Sequence, residues 1–264
     1  MEFDFTTDRY DIRIPSDVLK STTEPDQRPE RSDSSVPESD FSLRAYCSVL
    51  YMKPRMQINI RGQKVKTQLI SKSLAHITRE IYKPSFVKQK IPITFGYNTK
   101  SKDQYGIMMY YNNRLIKAYH RVGCQLKVSV LGIGVIGVIE CNFLEPTHNK
   151  QDFDNTDKYK NAIRNVAGKL GEYCKEIRFK RKKSNPSDNV PVEETEKRPD
   201  QNWVQCDECQ QWRRLPDGIN TEKLPEEWFC YMNPDPQFRS CETMEEPEDS
   251  DSEQPTNLKT YKIQ

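Results

Sequence analysis

Residues 104–119 read QYGIMMYYNNRLIKAY. An aromatic and β-branched run, an Asn112-Asn113 pair and a second run of the same kind are the pattern of a β-hairpin, because paired asparagines tolerate the positive φ angles of a tight turn. Extended character continues on both sides. VSVLGIGVIGVIECNF (128–143) reads as strand, as do LRAYCSVLYM (43–52), MQINI (56–60) and the returning QKVKTQLI, with Arg61-Gly62 as a turn between the last two. Between 155 and 183 the period changes: Tyr159, Ala162, Ile163, Val166, Leu170, Tyr173 and Ile177 recur at three- and four-residue intervals, which predicts one amphipathic helix. Asp154 or Asn155 is the expected N-cap, and basic residues collect toward the C-terminal end, where the helix dipole favours them. Strands followed by a packing helix give an α+β class.

The chain has 264 residues, 34% hydrophobic and 30% charged, enough for one moderate core with little to spare. No stretch approaches the roughly 20 apolar residues of a membrane span, and the Met1 end lacks the pattern of a secretory signal. Its net charge of +2 hides an uneven distribution: KEIRFKRKK (175–183) is basic, whereas residues 242–253 hold seven acids and no base. The part Arg178–Lys183 is a candidate DNA contact or nuclear-import patch. Residues 20–41 and 184–200, rich in Pro, Ser and charge, read as flexible connections. The division expected is a partly disordered 1–40, a folded unit over 41–183, a linker over 184–199, a second unit over 200–249 and an acidic tail over 250–264.

Of the eight cysteines, Cys47, Cys124, Cys141 and Cys174 are scattered among apolar residues and read as buried thiols. Cys206, Cys209, Cys230 and Cys241 are different, standing as C-x2-C-x20-C-x10-C. Two residues between the first pair let both thiolates of one knuckle face a single ion, and the later pair closes a tetrahedron, as structural zinc requires. Four thiolates leave no coordination position for substrate, so the metal holds the fold and does no chemistry. All three tryptophans, Trp203, Trp212 and Trp228, fall around these ligands. A module so small cannot bury three indoles alone, and an exposed indole face attracts a quaternary ammonium by about 2 kcal/mol or more when desolvated.

The stretches WVQCDECQQWRRLPDG and EEWFCYMNPDPQFRSC resemble the CW-type zinc finger, and specifically that of the microrchidia (MORC) family of nuclear ATPases. The resemblance implies a short β-hairpin on one zinc ion, beside which the histone H3 N-terminal tail adds as a strand with its methylated fourth-position lysine in a tryptophan cage. Carried over by position, Trp203 and Trp212 are the cage walls, Gln201 and Glu248 lie at its edges, and Trp228 is the packed structural tryptophan. Glu242, Glu245, Glu246 and Glu248 add attraction for a basic tail. Gln210-Gln211 departs from the apolar-basic pair of the family.

The segment from Phe41 to Lys83, GIMMYYNNRLIKAYHRVGCQL and IECNFLEPTHNKQDF resemble the transducer domain of the same family, which implies a ribosomal S5-like fold with helices on one face of a mixed sheet. In GHKL-type ATPases such a domain sends a lysine to the nucleotide's γ-phosphate; Lys64 is the candidate here, with Lys66 second. No acid-x-x-x-Asn motif, Asp-x-Gly-x-Gly turn or Gly-rich lid is present, so the ATP-binding half is expected upstream of Met1 and this chain is not expected to hydrolyse ATP alone. A homodimer is expected if that half is present. Gly132-Ile133-Gly134-Val135-Ile136-Gly137 matches G-x-G-x-x-G, but β-branched sequence follows the third glycine where a nucleotide site needs a helix. His76, His120 and His148 are dispersed and suggest no catalytic set. Together these readings predict a nuclear, chromatin-associated reader.

Overall fold

In a computed structural model the described residues are 3–14, 36–127, 130–186, 190–219 and 221–246. The anticipated flexible connection of 20–41 falls largely outside them, and the acidic tail wholly so.

The centre is a five-stranded mixed sheet of order β3-β4-β7-β5-β6, made of β3 (Leu74–Tyr82), β4 (Ile91–Asn98), β5 (Gly106–Tyr111), β6 (Arg114–His120) and β7 (Val135–Glu140). All pairings are antiparallel except β5 with β7. The hairpin of residues 104–119 forms as the sequence predicts, with Tyr111 opposite Arg114 and positive φ of 45° and 67° at Asn112 and Asn113. β7 is central, and its VIGVIE is buried almost throughout because both faces of the sheet are covered. The G-x-G-x-x-G stretch therefore ends inside a strand. A Cβ on Gly137 would lie 2.6 Å from Ile107 and 2.9 Å from Phe95, so that glycine serves close packing.

The predicted helix is α2 (Asp157–Ser184); α1, described below, precedes it in the chain. Its cap is Thr156, whose side chain accepts from the Tyr159 amide at 3.3 Å, so the expectation of Asp154 or Asn155 is corrected to Thr156. Ala162, Val166, Leu170, Tyr173, Cys174 and Ile177 are buried against Ile93, Phe95, Tyr97, Ile107, Met109 and Ile139. Each buried aliphatic in such a contact contributes roughly 1.5–3 kcal/mol.

A second correction concerns residues 43–52, expected as strand. Leu43–Val49 is helix α1, capped by Ser42, whose hydroxyl accepts from the Ala45 amide at 3.0 Å. A short apolar run fits either period, and here the serine before it decided the outcome. Val49 of α1 and Ile70 pack with Met108, Tyr110, Ile136 and Val138, the opposite sheet face from α2. The sheet is thus covered on both sides, where helices on one face were implied. Residues 56–64 form a two-stranded hairpin, β1 (Asn59–Ile60) and β2 (Gln63–Lys64), about the Arg61-Gly62 turn.

Strands β3 and β4 were not marked in the sequence. β3 carries a register shift between Ala75 and Thr78, with His76 at φ 54°, and Pro92 and Gly96 interrupt the pattern of β4. The amides freed by that shift are not left open: Asp200 accepts from His76 N at 2.9 Å and Ile77 N at 2.7 Å. Residues 190–200 are accordingly packed rather than slack, with Val192 4% exposed and Glu193 paired to Arg178. The described N-terminal part is tied down too, by an Asp4–Arg13 bridge and by Arg61 donating to the carbonyls of Phe5 and Asp8.

Candidate metal centre and tryptophan surface

The finger is built on β8 (Asn202–Gln205) and β9 (Trp212–Leu215), an antiparallel pair with Trp203 opposite Arg214 and Gln205 opposite Trp212. Cross-strand partners share a face, so the hairpin has two distinct sides. Val204, Arg213 and Leu215 lie on one; Trp203, Gln205, Trp212 and Arg214 lie on the other.

The first side carries the metal centre. The sulfurs of Cys206, Cys209, Cys230 and Cys241 all lie within 4.8 Å of one another. Cys206 to Cys241 is 3.9 Å and Cys209 to Cys230 is 3.6 Å. A tetrahedron with Zn–S bonds of about 2.3 Å has edges of roughly 3.8 Å, so the donor set fits zinc in number, type and spacing. Against the cost of burial, the amides of Cys209, Glu208 and Cys230 lower the pKa of Cys206, whereas burial and the neighbouring thiols raise Cys230 and Cys241, so zinc loading has to displace protons from the set. The knuckle closes through Gln210, at φ 59°, whose amide donates to the Cys206 carbonyl at 3.0 Å. Trp228 packs in this core at 3% exposure, as expected of the structural tryptophan.

Two residues around the metal were not singled out in the sequence. Arg213, fully buried, donates to Cys230 Sγ at 3.3 Å and to the carbonyls of Met244, Ser240 and Thr243 at 3.1, 3.1 and 2.7 Å. Pairing β8 with β9 in the sequence would have found it, since alternation places position 213 on the metal side. Asp207 exchanges backbone bonds with Trp228 on the facing segment, its amide donating at 2.8 Å and its carboxylate accepting at 2.8 Å.

The second side bears the expected cage residues, and only one indole is open. Trp203 is half-buried, its Nε1 donating to Gln201 Oε1 at 2.9 Å, and the Lys72 ammonium stands 5.8 Å from its ring centre. It borders a cavity of about 490 Å³ shared with Arg79, Phe86, Glu245 and Glu246. Trp212 was expected as an exposed wall and is 3% exposed. Its Nε1 donates to the Pro54 carbonyl at 2.9 Å, and Gln205 donates to the same oxygen at 3.0 Å while accepting from Thr67 at 2.8 Å. The S5-like unit therefore covers that wall. Glu245 is engaged by Arg55, and by Lys53 at 3.6 Å. Burial raises the carboxyl of Glu246 above its usual range. Glu248 lies outside the described residues.

Lys64, in strand β2, is ion-paired with Asp207 of the zinc knuckle. Burial lowers its pKa while Glu227 and Glu226 oppose the shift. Lys66 is exposed. In the basic run Arg178 is paired with Glu193 at 2.8 Å, Arg181 donates to Thr195 at 3.1 Å and exposed Lys180 pairs with Glu176 at 2.7 Å, while Lys182 and Lys183 are also exposed.

Comparison with known families matches residues 41–174 to the Morc6 ribosomal protein S5 domain 2-like family and residues 202–247 to the CW-type Zinc Finger. The chain is 60% identical over 97% of its length to MORC family CW-type zinc finger protein 3 of Mus musculus, covering 27% of that protein. It is 26% identical over 89% of its length to ATPase MORC2 of Homo sapiens, covering 32% of it, and 32% identical over 59% of its length to Protein MICRORCHIDIA 6 of Arabidopsis thaliana, covering 24%. It spans about a quarter to a third of the relatives it matches. The chain belongs to the MORC family: an S5-like domain followed by a CW-type finger with four cysteines positioned to bind a structural zinc ion.

Proposed function

We propose that this MORC-family chain is a nuclear, chromatin-associated reader whose CW finger binds the histone H3 N-terminal tail at its methylated fourth-position lysine, with Trp203 as the principal wall. The observation that carries this is Trp203, a half-buried indole on a rigid zinc-cored hairpin, bordering a cavity beside Glu245 and Glu246 and already facing an ammonium group, that of Lys72. A ring placed to accept one lysine cation suits another whose methyl groups desolvate it further. The two-stranded β8–β9 sheet leaves strand edges to which an extended peptide can add, supplying affinity through the backbone while the cavity supplies choice. Gln201 orients the Trp203 ring, and Trp212 completes a second wall when the Pro54 loop is displaced. Glu248 is proposed at the edge of the cage.

The zinc supplies rigidity when bound, holding the knuckle and the 230–241 segment so that β8 presents Trp203 at a fixed height. The S5-like domain is proposed as the transducer of a GHKL ATPase whose ATP-binding core belongs to another part of the whole protein, with Lys64 as its phosphate-contacting lysine. Titration of the zinc-loaded chain with H3 N-terminal peptides bearing zero to three methyl groups tests the reading. Trp203→Ala is expected to weaken methyl-lysine binding at least about tenfold at unchanged zinc content. Equal binding by parent and variant refutes it.

A further inference from the structure

Outside the zinc finger, two of the remaining cysteines are brought together by the packing of α2. The 3-10 turn Gly123–Leu126 is pressed onto that helix: Gly123 stands at φ 53°, and a Cβ there would lie 2.9 Å from Ala167 Cβ. Cys174 follows Ala167 by two helical turns on the same buried face, opposite Cys124. Their sulfurs converge beside Gly132, where a Cβ would meet Cys124 Sγ at 3.0 Å and Cys174 Sγ at 3.7 Å. Both are free thiols.

We propose that Cys124 and Cys174 form a hydroperoxide-sensitive dithiol, a modification site in the core of the S5-like domain whose oxidised form is a Cys124–Cys174 disulfide. The two sulfurs are suited to different steps. Cys124 is half-buried, whereas Cys174 is fully buried. The neighbouring Cys174 thiol lowers the pKa of Cys124; against the cost of burial, its own amide, the Arg178 guanidinium and the Gln125 amide act in the same direction. The pairing with Cys124, together with burial, raises the Cys174 thiol. As a pair the two thiols give up a first proton more readily than a second, and Cys124 is the sulfur that a solute can reach.

The Cys124 thiolate attacks the terminal oxygen of a hydroperoxide. The O–O bond breaks, the departing alkoxide or hydroxide takes a proton, and Cys124 becomes a sulfenic acid. The Cys174 sulfur then attacks Cys124 Sγ. An S–S bond forms, the S–O bond breaks, and the hydroxyl leaves as water with the proton of Cys174. Two thiols lose two electrons in all, and the peroxide is reduced to an alcohol or water plus a second water. The product staples the 123–126 turn to α2, and a reducing thiol reverses it by exchange. Gln125 already spans this loop, donating to the carbonyls of Gly132 at 3.0 Å and Val135 at 2.9 Å, so the bond acts on an ordered segment.

The experiment treats the zinc-loaded chain with hydrogen peroxide, blocks free thiols, and maps cysteines by mass spectrometry without reduction. The expected result is one cross-linked pair of peptides bearing Cys124 and Cys174 that dithiothreitol separates, with buried Cys141, whose thiol burial pushes up, unmodified. Cys174→Ser should leave Cys124 as a sulfenic acid trapped by dimedone, and Cys124→Ser should leave Cys174 unreacted. At pH near 7, Cys124 should alkylate at least about tenfold faster than Cys141. Recovery of Cys124 and Cys174 from peroxide-treated parent as separately blocked thiols, or of Cys124 as sulfinic acid without the cross-link, overturns the proposal.

Discussion

Replacing Arg213 by lysine keeps a positive charge at the metal centre and removes the guanidinium fork. Arg213 is fully buried and makes four hydrogen bonds, to Cys230 Sγ at 3.3 Å and to the carbonyls of Met244, Ser240 and Thr243 at 3.1, 3.1 and 2.7 Å. Four thiolates around one divalent zinc leave a negatively charged cluster, so the cation is both counter-charge and tie between the ligand loop and the segment after Cys241. An ammonium on a shorter stem cannot meet acceptors arranged along the two edges of a planar group, and at least two of the four bonds should be lost. At about 1.5–3 kcal/mol for each bond to a charged donor, the loss of two is about 3–6 kcal/mol. Expressed as metal affinity, with some recovered by relaxation, Arg213→Lys should release zinc to a competing chelator at about 10–100-fold lower chelator concentration. The assay is competition with a chromophoric chelator, read alongside tryptophan fluorescence of the intact chain. If Arg213→Lys holds zinc and melts as the parent does, the four bonds contribute nothing net and the reasoning fails.

Gly137→Ala should destabilise the S5-like domain by about 1–3 kcal/mol in chemical denaturation, because its Cβ would lie 2.6 Å from Ile107 and 2.9 Å from Phe95 in a packed core; parent-like stability would show that β7 has room to shift. Burial, aided by Lys117 and opposed by Asp152, holds His120 below its ordinary 6.5, so the folded state binds the proton less readily than the unfolded one. Its contribution to stability is complete above about pH 6.5 and is lost as pH falls toward the depressed folded value; His120→Gln should therefore lose less melting temperature than the parent between about pH 7.5 and 5.5, and parallel losses would refute the assignment.

Legibility in the sequence followed from how local each signal was. The zinc centre was plain, because ligand spacing is written in the chain: Cys206 and Cys209 belong to one knuckle, and the geometry of the ion leaves little freedom for Cys230 and Cys241. The 104–119 hairpin and α2 were plain for the same reason, a turn pair in one and a sustained period in the other. What failed depended on partners far along the chain. Leu43–Val49 offered an apolar run that a strand or a helix could use, and Ser42 chose the helix. β3 was obscured by the irregularity at His76, whose open amides are satisfied by Asp200, more than a hundred residues away. Nothing local in the sequence singles out Arg213, and only the pairing of β8 with β9 puts it against the metal.

Trp212 shows why composition misjudges an indole. Each tryptophan has roughly 150–250 Å² to bury, and a finger of this size has interior for one, which Trp228 fills. The expectation that at least one or two indoles are partly exposed is met by Trp203, and extending it to Trp212 holds only for the finger alone. Here the second is buried by Pro54, whose carbonyl accepts from both Trp212 and Gln205 on one side of the hairpin. Strand alternation places Trp203 on that same side, so the surface proposed to read a peptide and the surface that docks the finger onto the S5-like domain are continuous. A peptide held by Trp203 alone leaves this contact intact. One that also uses Trp212 must first break two hydrogen bonds at Pro54, and the two walls of the cage are therefore unequal in cost.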